Sequence, residues 1–139
     1  MPTFSVSDLQ ALALKILEAA GAPAADAEIV SKELAEANAV GHDSHGVMRL
    51  MQYVQFIDDG FVKLGAPVET VRSGGSFLIL DANFNFGQVA ASLAVKRGVE
   101  LARNVCTATV MIRNCNHVGR LGSYSKKAAE QGCLTTVAV

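Results

Sequence analysis

Ser76-Phe77-Leu78-Ile79-Leu80 is a short apolar run, bounded by Gly74-Gly75 before it and by Asp81-Ala82-Asn83-Phe84-Asn85-Phe86-Gly87 after it. A run of this length between turn formers reads as a strand. Upstream, Val68-Glu69-Thr70-Val71-Arg72 alternates as a half-buried strand, so the two glycines predict a tight hairpin. Downstream, helical spacing holds from about Gln88 to Arg103, with Ala90, Leu93, Ala94 and Leu101 on the buried face. Cys106-Thr107-Ala108-Thr109-Val110-Met111-Ile112 then reads as a strand buried on both faces. Strand, helix, strand in that order is a right-handed crossover, which makes part of the sheet parallel. The expected fold class is α/β, with a mixed, partly parallel sheet and crossover helices.

Ahead of the sheet lie three helical patterns. The first runs from about Ser5 or Ser7 to Ala20, burying Leu9, Leu12, Ile16 and Ala20 and stopping at Gly21. The second runs from about Ala25 to Val40, with Asp26 and Glu28 near its positive end and Val30, Leu34 and Ala37 inward. The third is capped by Asp43 or Ser44, buries Val47, Leu50, Met51, Val54 and Ile57, and ends at Gly60. Residues 1–66 thus form an N-terminal helical segment, and residues 67–139 begin an α/β domain. A last helix from near Leu121 to Gln131 leads through Gly132 into Leu134-Thr135-Thr136-Val137-Ala138-Val139, which has the pattern of an interior strand. Such a strand at the chain end predicts either a cut interior strand or the first part of a longer protein.

The 139 residues are half apolar, enough for a core, and a net charge of −1 gives no reason to expect nucleic acid or an anionic membrane as partner. Cys106, Cys115 and Cys133 are odd in number and contain no CxxC pair, which favours reduced thiols and a cytoplasmic location. No apolar stretch approaches the length of a bilayer span.

Two segments carry the candidate chemistry. In Gly41-His42-Asp43-Ser44-His45-Gly46-Val47-Met48-Arg49, an imidazole at a helix mouth stands one turn before a guanidinium on the same face, with Gln52 and Tyr53 a turn further. Unpaired backbone N–H groups at a helix start favour an anion there, so the segment suits a small carboxylate with a neighbouring oxygen to protonate. The same residues also serve as plain helix caps, with the histidine a local hydrogen-bond partner. His42, Asp43 and His45 as metal ligands is a further reading, but no third ligand is fixed by spacing, and no metal site is expected.

The second segment, Arg113-Asn114-Cys115-Asn116-His117-Val118-Gly119-Arg120-Leu121-Gly122-Ser123-Tyr124, joins the buried strand to the last helix. Ligands collect at the carboxyl ends of parallel strands, which is where His117 falls; a structural loop histidine is the other reading. Gly119 and Gly122 would let a ligand or a backbone approach closely, but the GxGxxG dinucleotide fingerprint is absent. Together the segments offer what 2-keto acid reduction needs from a protein: histidine to give a proton, and arginine's planar fork to hold a carboxylate.

Asp43-Ser44-His45-Gly46-Val47 with Arg49, followed some seventy residues later by Asn116-His117-x-Gly119, resembles the malate/L-lactate dehydrogenase family of the second type. That family is distinct from the Rossmann lactate and malate dehydrogenases and includes ureidoglycolate and sulfolactate dehydrogenases, diketogulonate reductase and cyclic imino-acid reductases. The resemblance covers essentially the whole chain. It implies an NAD- or NADP-dependent oxidoreductase acting on a small 2-hydroxy or 2-keto acid such as malate or lactate, in a homodimer. It implies His45 and His117 as acid/base groups and Ser44 and Arg49 as substrate contacts, with His117 equally placed to position a nicotinamide. Family members are about twice this length or more, so most cofactor-binding residues are expected beyond Val139 and the fold is expected to be incomplete. A truncated, non-catalytic dimerisation or binding module is the competing expectation.

Overall fold

The computed structural model describes residues 3–139. Helix α1 (Val6–Ala19) opens on Ser5, whose Oγ accepts the Asp8 N–H at 3.1 Å, and α2 (Ala24–Ala39) packs back along it. Two single 3-10 turns, Asp43–His45 and Val47–Arg49, then lead into α3 (Leu50–Asp58). Ala13 and Leu17 of α1, Ala27, Val30 and Leu34 of α2, and Leu50 and Tyr53 of α3 form one buried core that also takes in Phe86. The inward stripe of α1 is offset by one residue from the expected one, which leaves Leu12 half exposed. On α3, Tyr53 turns inward and Met51 turns out, 75% exposed.

β1 (Glu69–Ser73) and β2 (Phe77–Asp81) form the expected antiparallel hairpin, with an irregularity between Thr70 and Arg72. Helix α4 (Gly87–Val105) crosses over to β3 (Thr109–Arg113), which lies parallel to β2 with Ile79 opposite Met111. The sheet order is β1-β2-β3, followed by α5 (Leu121–Ala129) against α4. At the carboxyl ends of β2 and β3, buried Asp81 accepts from Arg113 Nε at 2.7 Å and from Asn114 Nδ2 at 3.0 Å. This fixes where the loop after β3 begins.

Three expectations change. The third helix does not begin at Asp43 or Ser44. Gly46 is extended (φ −89°, ψ −158°), and Asn38 Oδ1 takes the Val47 N–H at 2.8 Å, so the 3-10 turns replace its first turns. β3 is half-buried on one face only, because α4 lies over Val110 and Ile112 while Met111 on the other face is 51% exposed. Residues 134–139 join no ladder among the described residues; Leu134 and Val139 stand in solvent, and the segment lies along a groove.

Candidate active site

The two segments picked out in the sequence meet. The rings of His45 and His117 lie 5.3 Å apart between centroids, tilted by 30°, and His42 lies edge-on to His45 at 4.8 Å. All three border a groove of about 1660 Å³.

Each ring is delivered by a different device. Asn38 of α2 holds the 43–49 turns from beneath. Besides taking the Val47 N–H it donates through Nδ2 to Asp43 Oδ1 at 2.6 Å, and a Cβ on Gly46 would stand 2.2 Å from its Oδ1. Only glycine lets that turn lie so close to the asparagine. Ser44 Oγ stands 3.0 Å from His45 Nδ1. Arg49 does not project freely one helical turn beyond His45: its Nε donates to the Ser44 carbonyl at 2.6 Å and its Nη1 to Gln52 Oε1 at 2.7 Å. Of five guanidinium donors two are committed, so about three remain for an anion.

His117 arrives on the loop after β3. Asn116 anchors that loop, its Nδ2 lying 2.6 Å from the Phe84 carbonyl and 3.1 Å from those of Phe61 and Asn85. The loop backbone rests against the first residue of α4, where a Cβ on Gly87 would stand 2.1 Å from the Asn116 carbonyl oxygen. His117 Nδ1 then lies 2.8 Å from the Tyr53 hydroxyl, which accepts from Gln88 Nε2 at 2.7 Å. Sequence reasoning missed the roles of Asn38, Gly87 and Gln88, quoted Asn116 only as part of a motif, and placed Tyr53 only on the same face as His45.

Burial, the His42 ring and the Arg49 charge hold His45 below the ordinary imidazole value. Burial, followed by the charges of Arg49 and His45, does the same for His117. The charge that His45 would carry thus opposes protonation of its neighbour. Burial pushes the Tyr53 phenol up to about 12, which keeps its proton in place near neutrality. Such a site can exchange a proton with an oxygen at its centre while the guanidinium holds an adjoining carboxylate.

Further along the groove, Gly119 (φ +79°) ahead of α5 and Gly122 in its first turn present bare backbone, and a Cβ on Gly122 would crowd Arg120 Nη1 at 2.6 Å. Arg120 Nε is buried without a partner among the described residues. A cationic group with spare donors beside glycines fits one end of an anionic dinucleotide. Among the described residues no group of three His, Cys, Asp or Glu side chains is arranged to hold a metal, and no helix is long and apolar enough to cross a membrane.

Comparison with known proteins agrees with the fold. The malate dehydrogenase of Pyrococcus abyssi is 38% identical over 127 residues, covering 91% of this chain and 35% of the relative. Hydroxycarboxylate dehydrogenase B of Escherichia coli K12 is 32% identical over 132 residues, covering 95% and 37%. The solved structure of malate dehydrogenase from Pyrococcus horikoshii superposes with a TM-score of 0.91 at 34% identity, over 94% of this chain and 38% of that one. That of delta1-piperideine-2-carboxylate reductase from Pseudomonas syringae gives 0.87 at 28% identity, over 95% and 40%. The chain therefore spans little more than a third of the length of these relatives. The pattern shared by the malate/L-lactate dehydrogenases matches residues 4–139, and the chain belongs to that family.

Proposed function

We propose that this chain is the acid/base and substrate-holding part of an oxidoreductase that interconverts a small 2-hydroxy acid, such as malate or lactate, and its 2-keto acid. The observation that carries the reading is the meeting of His45 and His117 at 5.3 Å beside a guanidinium already oriented by the Ser44 carbonyl. Arg49 holds the substrate carboxylate through its uncommitted donors, with Ser44 beside it. One imidazole of the pair takes the hydroxyl proton of the 2-hydroxy acid, or returns it to the keto oxygen in reverse. Lowered pKa values leave the pair neutral near pH 7, so that one imidazole of the two is ready to act as the base for the oxidation.

NAD or NADP, when bound, supplies and accepts the hydride, which no side chain carries. Of this chain's residues, Gly119, Arg120 and Gly122 would hold it, and the other contacts fall to the portion of such enzymes that this chain does not span. Residues 1–66 are then the substrate-side helical segment and 67–139 the first part of the cofactor domain. A homodimer in the cytoplasm completes the reading. It is supported by exposed Met48 and Met51 beside the site, of the apolar kind that subunit contacts bury, and by free thiols at Cys106, Cys115 and Cys133.

That apolar face also favours the second reading, a non-catalytic dimerisation or binding module. Loss of 2-keto acid binding in Arg49→Ala supports the enzyme, whereas a partner interaction indifferent to that change supports the module. In a full-length relative, His45→Ala and His117→Ala are expected to lower turnover far more than stability, and losses explained wholly by unfolding would overturn the assignment. NADH or NADPH titrated into the 139-residue chain is expected to bind weakly or not at all. Micromolar binding with turnover of pyruvate or oxaloacetate would show that the cofactor site is complete here.

A further inference from the structure

Gln88 is 1% exposed in the first turn of α4, and the acid/base reading makes no use of it. Its Nε2 donates to Tyr53 Oη at 2.7 Å, while its Oε1 is buried without a partner among the described residues. A buried amide left half satisfied costs stability, so its retention calls for a reason.

A phenol has one proton to give and lone pairs to receive. Because Gln88 already donates to the Tyr53 oxygen, the tyrosine proton is free for the neighbour at 2.8 Å, Nδ1 of His117. Nδ1 then accepts, and the proton of the neutral ring sits on Nε2. The opposite seating of the amide would turn Oε1 toward Tyr53, draw the phenol proton to it, and leave the Tyr53 oxygen to accept from an Nδ1–H. It would also leave the amide N–H groups buried and unpaired, a rarer compromise than an underused carbonyl. Gly119, whose φ of +79° favours glycine, carries the loop over the amide, where even a Cβ would meet Gln88 Nε2 only in ordinary contact at 3.5 Å.

We propose that Gln88 is a positioning residue which, through Tyr53, fixes His117 as its Nε2–H tautomer. The significance of the inference rests on the acid/base reading of His117 given above. The nitrogen left for substrate is Nε2 with its proton, a donor to a keto oxygen rather than an acceptor. Tyr53 suits the relay because burial keeps its phenol protonated, so it always has one proton to orient. The side chain that decides the tautomer thus lies two hydrogen bonds from the imidazole it governs.

The experiment is a long-range proton–nitrogen correlation spectrum of the 139-residue chain with labelled histidine, recorded above the titration range of His117. The unsubstituted chain is expected to show Nδ1 in the unprotonated range and Nε2 in the protonated range; the reverse would overturn the proposal. Gln88→Met removes both polar atoms at similar length, and Gln88→Asn keeps an amide too short to reach Tyr53. In each, the two nitrogen shifts are expected to converge as both tautomers become populated. An unchanged spectrum in a folded variant would overturn the proposal, and two variants keep the comparison if one does not fold. Oxaloacetate added to the same sample tests the underlying reading separately. A ring indifferent to oxaloacetate counts against the acid/base role and leaves the tautomer assignment intact, whereas an Nδ1–H ring that responds to it does the opposite.

Discussion

The α-carbon of Gly87 lies so close to the loop carrying His117 that a methyl group on it would stand 2.1 Å from the Asn116 carbonyl oxygen and 2.4 Å from that of His117. Both obstructing atoms are backbone, so neither can swing aside. Gly87→Ala is therefore expected to push the loop away from α4, costing about 1–3 kcal/mol as overpacking does. Thermal unfolding measures the cost, and loss of the His45–His117 ring contact in NMR checks its cause.

Asn38 is expected to matter as much as any residue of the 43–49 turns it supports. Asn38→Leu strands the Val47 N–H and frees Asp43, at a cost of about 1–3 kcal/mol for the unpaired donor. Faster amide exchange at Val47, with α1 unaffected, is the signature to look for.

Arg49→Ala removes the oriented cation of the site. Charge-assisted bonds of this kind contribute about 1.5–3 kcal/mol, so 2-keto acid binding is expected to weaken on the order of tenfold to a hundredfold. Arg49→Lys is expected to recover little, because an ammonium cannot reach the Ser44 carbonyl and Gln52 while presenting a fork to a carboxylate. Titration calorimetry with oxaloacetate reads both variants.

Stability is expected to depend on pH through the two imidazoles. Both are lowered in the folded chain, first by burial, so below about pH 6.5 the unfolded chain takes up protons before the folded one does. Their contribution is complete above that pH and is lost as pH falls through the depressed folded values. The melting temperature should drop between about pH 7 and pH 5, and His117→Gln should flatten that slope.

Cysteine labelling should separate Cys106 from Cys115. Burial pushes Cys115 up to about 11, while Cys106 is exposed. Iodoacetamide in mild alkali is expected to modify Cys106 first and to reach Cys115 only on unfolding.

Much of the fold was legible because it is written in local patterns. The hairpin at Gly74-Gly75, the parallel pairing of β2 with β3 and the inward stripe of α2 follow from periodicity over neighbouring residues. The errors at Leu12, Met51 and Met111 share a cause: periodicity marks an apolar face but cannot say whether another layer covers it. The nearness of His45 to His117 was readable only through the family pattern, since they lie far apart in sequence. The residues that seat them were hidden for the same reason. Gln88 acts on a hydroxyl 35 positions away, and Asn116 on carbonyls 31 to 55 positions away. The early start predicted for α3 failed because Asn38, nine residues before Val47, outcompetes the helix for its N–H.

Asn116 offers one amide nitrogen to the carbonyls of Phe61 and of the adjoining Phe84 and Asn85, and so rivets its own loop and two others at a single point. None of those loops can open alone without breaking a bond the others share. Hydrogen exchange should therefore find them breathing as one cooperative unit, so that a guest settling against His117 quiets the backbone at Phe61 as well.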